Sequence, residues 1–148
     1  MCNCRVPRDC PLSGKCLLAN VVYKAVVQEA GSTSVRDYIG LTEGPFKRRY
    51  SNHLSNFRHE KYRNSTELSK YVWSLKDQQK EFTIKWSVLR RAHPYTPGSR
   101  RCQLCLEEKL CIATAAKGTL LNKRSELVST CRHRRKFLLS QFSPDSVT

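Results

Sequence analysis

Short apolar runs and strict alternation mark the expected strands of this chain. Residues 18–29 are rich in apolar and β-branched side chains, a turn-forming run follows at 31–34, and residues 35–41 are largely apolar again. This order predicts a β-hairpin. Over residues 82–88, apolar and polar side chains alternate. Period-two alternation is typical of a strand with one buried face, so we expect the third strand there.

Three other segments repeat their apolar residues at helical spacing. The first follows Pro45, which suits the start of a helix, and its spacing places Arg49 and His53 on one face. The second is expected to begin near residue 64 or 65 behind a polar cap, and the third should cover residues 102–116. The buried stripe of the second helix should be Leu68, Val72 and Leu75.

The chain divides into a cysteine-rich leader (residues 1–17), a compact domain (18–142) and a tail (143–148) that is expected to be disordered. At this length one domain can bury about two thirds of the surface of its unfolded chain. The leader contains two prolines and a glycine among its cysteines, which indicates an irregular loop. We therefore predict an α+β domain with a three-stranded, mostly antiparallel sheet, flanking helices and a cysteine-rich N-terminal loop.

One acidic residue falls on the apolar side of the third expected helix. Glu108 shares that side with Leu104 and Ile112, whereas Glu107 should face solvent. A buried carboxylate must be paired, protonated or bound to a metal to offset its desolvation. Two interpretations stay open: Glu108 pairs with a basic side chain, or it binds a metal ion.

The charge balance favours a polyanionic partner. The chain has 27 Lys and Arg against 12 Asp and Glu, and its formal net charge is +15, which points to nucleic acid. No lipidation signal, amphipathic membrane-binding helix or bilayer-spanning apolar run is evident, so no membrane partner is expected. Charge alone does not separate DNA from RNA, or binding from cleavage.

The chain has eight cysteines, and no apolar stretch near its start suits a signal peptide. We therefore expect a nuclear or cytoplasmic protein that is not secreted. In such reducing compartments close Cys and His spacing indicates zinc more than disulfides. One candidate zinc set has two close pairs: Cys102 with Cys105, and Cys131 with His133. A second, less regular set is Cys2, Cys4, Cys10 and Cys16, with His59 as an additional donor.

Two short aromatic motifs and several later residues resemble the GIY-YIG endonuclease family. The first motif reads Val-Val-Tyr and has Val21 where glycine is usual, while the second, Tyr-Ile-Gly, is intact. Arg49 is a better match than Arg48 because His53 lies four residues after it. In chain order the matching residues are Tyr23, Tyr38, Gly40, Arg49, His53, Glu108 and Asn122.

Longer stretches are similar to the endonuclease domain of Penelope-like retroelements. They lie at residues 2–5, 10–12, 38–43, 67–71, 102–110 and 131–133. The resemblance implies a nuclease module detached from the reverse transcriptase that normally precedes it. A reverse transcriptase domain or retroelement RNA is therefore an expected partner besides DNA.

The resemblance implies metal-dependent hydrolysis of DNA phosphodiester bonds, expected as nicking. Glu108 would hold one Mg²⁺ or Mn²⁺ ion, Tyr23 would help to activate water, and Arg49 would present its planar cation to the scissile phosphate. His53 would orient groups or donate a proton nearby. The remaining assignments are Tyr38 and Asn122, which would position the water and brace the site, and Lys47 and Arg48, which would contact nucleic acid.

The alternative is a catalytically inactive, zinc-stabilised basic module that only binds nucleic acid. The positive charge and the cysteines fit this interpretation equally well. The placement of Glu108 and Asn122 favours the enzyme, because a protein that only binds gains nothing from a carboxylate facing phosphate.

Overall fold

The computed structural model describes residues 2–94, 96, 102–116 and 118–123. Single 3-10 turns lie at Pro7–Asp9 and Glu60–Tyr62. The regular elements, in chain order, are β1 (Val21–Glu29), β2 (Val35–Thr42), α1 (Phe46–Arg58), α2 (Glu67–Asp77), β3 (Phe82–Arg91) and α3 (Gln103–Thr114). The predicted α+β class, with three strands, flanking helices and a cysteine cluster near the N-terminus, is confirmed.

The sheet has the order β2-β1-β3, and both strand pairings are antiparallel. Because β1 is central, side chains on both of its faces are buried, which explains its dense apolar composition. In contrast, β3 alternates between half-buried and exposed positions along most of its length. The pairing of β1 with β3 shifts register between Val22 and Tyr23, so a local irregularity lies beside Tyr23.

Each face of the sheet packs against its own helices. Tyr23, Ala25 and Val27 of β1 point to the face covered by α1 and α2, where they join a core with Phe46 and Leu68. On the opposite face, a second core joins side chains of the sheet to α3. Its fully buried members are Val22, Ile39, Leu41, Cys102, Leu104, Cys105 and Ile112.

Element boundaries differ from the expected ones for local reasons. Helix α2 begins at Glu67 because Thr66 is its N-cap, and the Thr66 hydroxyl accepts the backbone N–H of Ser69 at 2.9 Å. Its predicted buried stripe is confirmed. Pro45 lies one residue before α1 as the N-cap. Strand β3 extends to Arg91 because it continues to pair with Val21.

The buried residues of α3 differ in part from those that the sequence predicted. Leu104 and Ile112 are buried as expected, but Glu108 is only half-buried and the neighbouring Lys109 is 3 % exposed. Glu107, which was expected to face solvent, is partly buried: its side chain is 24 % exposed, and its carboxylate lies 3.7 Å from the guanidinium of the exposed Arg90.

Some predicted features fall outside the described residues. Cys131 and His133 of the first zinc set are among them, as are the end of the proposed domain and the tail at 143–148. Within the described part of the chain, none of the helices has the length and apolar character needed to cross a bilayer.

Candidate active site

A buried tyrosine links the sheet to α1. The hydroxyl group of Tyr23 lies 2.7 Å from Nε2 of His53, and it accepts a hydrogen bond from Nε of Arg49 at 3.2 Å. Tyr23 and His53 are fully buried, and Arg49 is half-buried. These three side chains, which we call the Tyr23 network, form one hydrogen-bonded group that meets solvent through Arg49.

Local geometry explains why these residues meet. Arg49 and His53 are one helical turn apart, so both reach the same side of α1. Tyr23 is directly opposite Gly40 in the pairing of β1 with β2, and cross-strand partners point to the same face of a sheet. A Cβ atom at position 40 would lie 2.5 Å from the Tyr23 hydroxyl oxygen. The absence of a side chain at Gly40 therefore leaves the space that the Tyr23 phenol occupies.

Tyr38 lies next to this network. It pairs with Ala25, two residues from Tyr23 on the same face of β1, and its ring centroid is 6.0 Å from that of His53. Burial lowers the pKa of Arg49, but the adjacent phenols of Tyr23 and Tyr38 outweigh this effect and raise it. Arg49 is therefore a permanent cation held between two tyrosines.

His53 has an apolar, aromatic surrounding. The rings of Tyr23, Tyr38, Phe57 and Trp86 have centroids 5.4 to 6.1 Å from the imidazole centroid. Burial, together with the charge of Arg49, lowers the pKa of His53 to about 3, so the imidazole is neutral at physiological pH. Within the described residues its Nδ1 atom has no hydrogen-bond partner.

Asn122 is attached to the outer edge of β2. Its Oδ1 accepts the backbone N–H of Ile39 at 2.8 Å, and its Nδ2 donates to the Ile39 carbonyl at 2.8 Å. Just before it, Thr119 and Leu121 make backbone hydrogen bonds to Asp37 in a short parallel bridge. The side-chain amide of Asn122 thus makes the two hydrogen bonds that a neighbouring strand's backbone would make. It supports β2 at Ile39, between Tyr38 and Gly40.

The other predicted residues occupy separate places. Glu108 is on α3, which packs against the face of the sheet opposite to α1. Arg48 is exposed on the first turn of α1. The ammonium of the neighbouring Lys47 is bound by the leader, at 2.6 Å from the side-chain oxygen of Asn3. The structure therefore gathers Tyr23, Arg49 and His53, with Tyr38 and Gly40 beside them, and holds Asn122 and Glu108 on other elements.

Trp86 is the neighbour of this site that sequence reasoning missed. Its ring centroid is 5.4 Å from that of His53 and 6.0 Å from that of Tyr23. The alternation along residues 82–88 predicts only that Trp86 lies on the buried face of β3. Its closeness to Tyr23 depends on the pairing of β3 with β1, which the sequence pattern leaves open.

Four cysteines form a second chemically distinctive cluster, which we call the leader cysteines: Cys2, Cys4, Cys10 and Cys16. Their sulfur atoms all lie within 4.8 Å of one another, and none forms a disulfide. His59, the additional donor considered from the sequence, is exposed after the end of α1 and is not part of the cluster. The leader cysteines can hold a metal ion such as zinc.

The thiols of this cluster affect one another. Burial raises the pKa of the Cys10 thiol, but hydrogen bonds from the backbone N–H groups of Gly14 and Leu12 outweigh it and bring the pKa to about 6. The hydrogen bond with Cys2, then burial and the proximity of Cys16, raise the pKa of Cys4 to about 12. Adjacent thiols resist ionising together unless a cation neutralises them, so this cluster suits a bound cation.

Comparison of the chain with models of known protein families, with curated proteins and with solved structures gave no match. Its function must therefore be inferred from the chemistry of these residues.

Proposed function

We propose that this protein is a metal-dependent DNA endonuclease that hydrolyses phosphodiester bonds, chiefly by nicking, and that derives from a retroelement. The observation that carries the proposal is the Tyr23 network. A tyrosine from a predicted strand, and an arginine and a histidine from a predicted helix, share one hydroxyl group, in a space left by Gly40. Each of these residues matches a position of the GIY-YIG motif set that the sequence resembles.

The hydrogen-bond directions suit proton removal from water. Arg49 can only donate, so the Tyr23 oxygen accepts from Arg49 while its own proton is directed to Nε2 of the neutral His53. In the reaction, the attacking water gives its proton to Tyr23 and forms a bond to phosphorus, and the bond to the leaving oxygen breaks. His53 orients the Tyr23 hydroxyl through the hydrogen bond at Nε2. Because the pKa of His53 is lowered to about 3, the transferred proton does not stay on the imidazole and leaves to water that enters when the site opens.

In the proposed reaction, Arg49 and Glu108 offset the negative charge of the scissile phosphate and the leaving group. The guanidinium of Arg49 is permanently charged and half-exposed, so it is the member of the Tyr23 network that a phosphate meets first. Glu108 would hold one Mg²⁺ or Mn²⁺ ion, which would supply charge stabilisation for the phosphate and the leaving group. A single protein carboxylate is sufficient, because Mg²⁺ commonly completes its shell with water and phosphate oxygens.

The charge of the whole chain supplies affinity for the substrate. A net charge of +15 attracts DNA independently of sequence, and α1 presents Arg48 beside Arg49. The Tyr23 hydroxyl is fully buried, so DNA binding must open the site for water to reach it. A reverse transcriptase domain, retroelement RNA and residence in the nucleus or cytoplasm remain part of the proposal.

The test is nicking of supercoiled plasmid by the purified protein with Mg²⁺ or Mn²⁺. We expect Tyr23→Phe and Glu108→Gln to reduce nicking by about 100-fold or more. The matched controls are Glu107→Gln, the adjacent acid on α3, and Arg48→Lys beside Arg49→Lys. Equal activity of Glu108→Gln and Glu107→Gln would reject the role of Glu108. A folded parent that binds plasmid without cutting it with either metal would reject the enzyme.

The burial of the Tyr23 network favours one alternative, a zinc-stabilised basic module that binds nucleic acid without cleaving it. Tyr23 and His53 are completely covered, as in a structural polar network, and Glu108 lies on a helix at the other face of the sheet. This alternative predicts that Tyr23→Phe lowers stability and leaves DNA affinity unchanged, in a parent protein that shows no nicking.

A further inference from the structure

We propose that the leader cysteines bind one Zn²⁺ ion and that the metal-bound leader is the N-terminal cap of α1. This site is independent of the nuclease proposal, because it concerns how the chain is held together. Its evidence is the geometry of the sulfur atoms and the hydrogen bonds that join the leader to α1.

The sulfur positions match a tetrahedral thiolate site. Zn–S bonds of about 2.3 Å in a tetrahedron give sulfur-to-sulfur edges of about 3.8 Å. The Cys16 sulfur lies 3.6 Å from those of both Cys2 and Cys4. A disulfide would require about 2.05 Å between two sulfurs, so the arrangement is that of four separate ligands around a common centre.

The type and burial of the donors favour zinc. Four thiolates with tetrahedral spacing suit Zn²⁺ and exclude hard ions such as Mg²⁺, which prefer oxygen. Cys10 and Cys16 are buried and form the inner side of the cluster, while Cys2 and Cys4 are half-buried. Backbone N–H groups of Leu12 and Gly14 donate to the Cys10 sulfur, which is the kind of outer contact that orients a metal ligand.

Apart from its cysteines, the leader has few side chains that hold it in place. It contributes no strand to the sheet, its 3-10 turn at Pro7–Asp9 buries no side chain, and its chain reverses through positive φ angles at Ser13 and Gly14. Among leader residues 2–17, Leu12 is the one fully buried aliphatic side chain. The buried contacts of the leader are made mainly by the cysteines themselves. A metal that joins these four residues therefore adds a constraint that offsets the entropy of ordering the segment.

The same leader completes the start of α1. The first N–H groups of a helix lack partners within it, and α1 has Pro45 at its N-cap, with no side-chain cap. Instead, the backbone N–H of Lys47 donates to the Cys16 carbonyl at 2.7 Å, and that of Phe46 donates to the Leu18 carbonyl at 2.8 Å. Cys16 is therefore both a metal ligand and a capping residue.

This connection makes the helix start depend on the metal. Zinc fixes Cys16, and the Cys16 carbonyl fixes the start of α1. The first two turns of this helix carry Arg49 and His53 toward Tyr23. Loss of zinc should therefore loosen the amides of Phe46 and Lys47 first, while the pairing of β1 with β3 stays in place. The metal acts through the position of the helix, without contacting the Tyr23 network.

The experiment compares Cys2→Ser and Cys2→His in the full chain. Cys2 is half-buried near the chain end, so either change leaves the core intact, and histidine can replace cysteine as a zinc ligand. We measure zinc content, and hydrogen exchange of the Phe46 and Lys47 amides relative to amides of β1. Cys111→Ser, a change outside both cysteine sets, is the control.

We expect Cys2→Ser to lose about one equivalent of zinc relative to the parent and to exchange the two α1 amides faster, while Cys2→His and Cys111→Ser keep parental values. The difference in zinc content between Cys2→Ser and the parent reports on this site alone, whatever zinc the chain binds elsewhere. Chelation of the parent should accelerate the same two amides, and added Zn²⁺ should reverse it. Unchanged zinc content in Cys2→Ser, bound iron in place of zinc, or unchanged amides after zinc loss would each overturn the proposal.

Discussion

In the candidate active site, the Tyr23 phenol occupies the space where a side chain at Gly40 would lie. Because a Cβ at position 40 would lie 2.5 Å from the Tyr23 hydroxyl oxygen, Gly40→Ala must displace the phenol from His53 and Arg49. Overpacking of this kind costs about 1 to 3 kcal/mol, and the hydrogen bonds of a buried hydroxyl are lost as well. We expect Gly40→Ala to lower the free energy of unfolding by this amount, as measured by urea denaturation.

Gly118→Ala is the matched control for this substitution. A Cβ at Gly118 meets no atom within 4 Å, so its free energy of unfolding should stay within about 0.5 kcal/mol of the parent. If Gly40→Ala and Gly118→Ala lower the free energy of unfolding by the same small amount, a side chain at position 40 does not displace the Tyr23 phenol.

His53 predicts a pH dependence of stability. Its pKa is about 3 in the folded protein, against about 6.5 in an unfolded chain. Between these values the unfolded state binds a proton that the folded state does not, so the free energy of unfolding falls as the pH is lowered from 6.5 towards 3. The full contribution is at most about 5 kcal/mol, and above pH 6.5 it has no further effect.

The measurement is urea denaturation from pH 8 to 4 for the parent and for His53→Gln, which has no titratable group at this position. We expect the parent to lose more free energy of unfolding than His53→Gln over the lower part of this range. Acid release of metal affects both proteins alike and cancels in the comparison. Parallel curves would show that folding does not lower the pKa of His53.

At the scale of helices and strands, the local sequence patterns predicted which elements exist, but they did not predict how the strands pair. The alternation at residues 82–88 identified β3, and the stripe of α2 was correct, because these signals depend on one buried face. The contacts that form the site depend on register. That Tyr23 faces Gly40, and that Trp86 reaches His53, follows from strand pairing, which no periodicity within one segment specifies.

Helix α3 shows the limit of such patterns most clearly. Its residues are apolar on more than one side, so helical spacing alone does not choose which residues are buried. The structure buries Lys109 and leaves Glu108 half-exposed. A half-exposed carboxylate has a lower desolvation cost than a buried one, so burial no longer argues for metal at Glu108. The proposed role of Glu108 rests on the sequence resemblance.

For the leader cysteines, the sequence pattern indicated less than the structure shows. Their irregular spacing gave only a weak indication of a metal site, because ligand spacing is regular where a short turn carries each pair. Here the loop folds back through Ser13 and Gly14 with positive φ angles. Sulfurs that are far apart along the chain, such as those of Cys2 and Cys16, then lie 3.6 Å apart.

Over the whole molecule, the start of α1 concentrates positive charge where a helix least favours it. Lys47, Arg48 and Arg49 occupy its first turn without any acidic residue, and each cation at a helix N-terminus costs about 0.3 to 1 kcal/mol. Lys47 is bound to Asn3, and Arg49 is held by the two tyrosines. Arg48 is exposed, so it is the cation of this turn that is accessible to an external anion.

This arrangement predicts how DNA affinity depends on salt. Each phosphate neutralised by a basic side chain releases counterions, so the loss of one contact lowers the slope of log K against log salt by about 1. We expect Arg48→Gln to reduce the slope by about this amount on duplexes of any sequence. Lys85→Gln, which removes the same charge from an exposed position on β3, should leave the slope unchanged. Fluorescence anisotropy over a salt series measures both variants. Equal slopes for the parent and Arg48→Gln would place the DNA on another face, whereas equal reductions in both variants would show a diffuse field with no particular contact at α1.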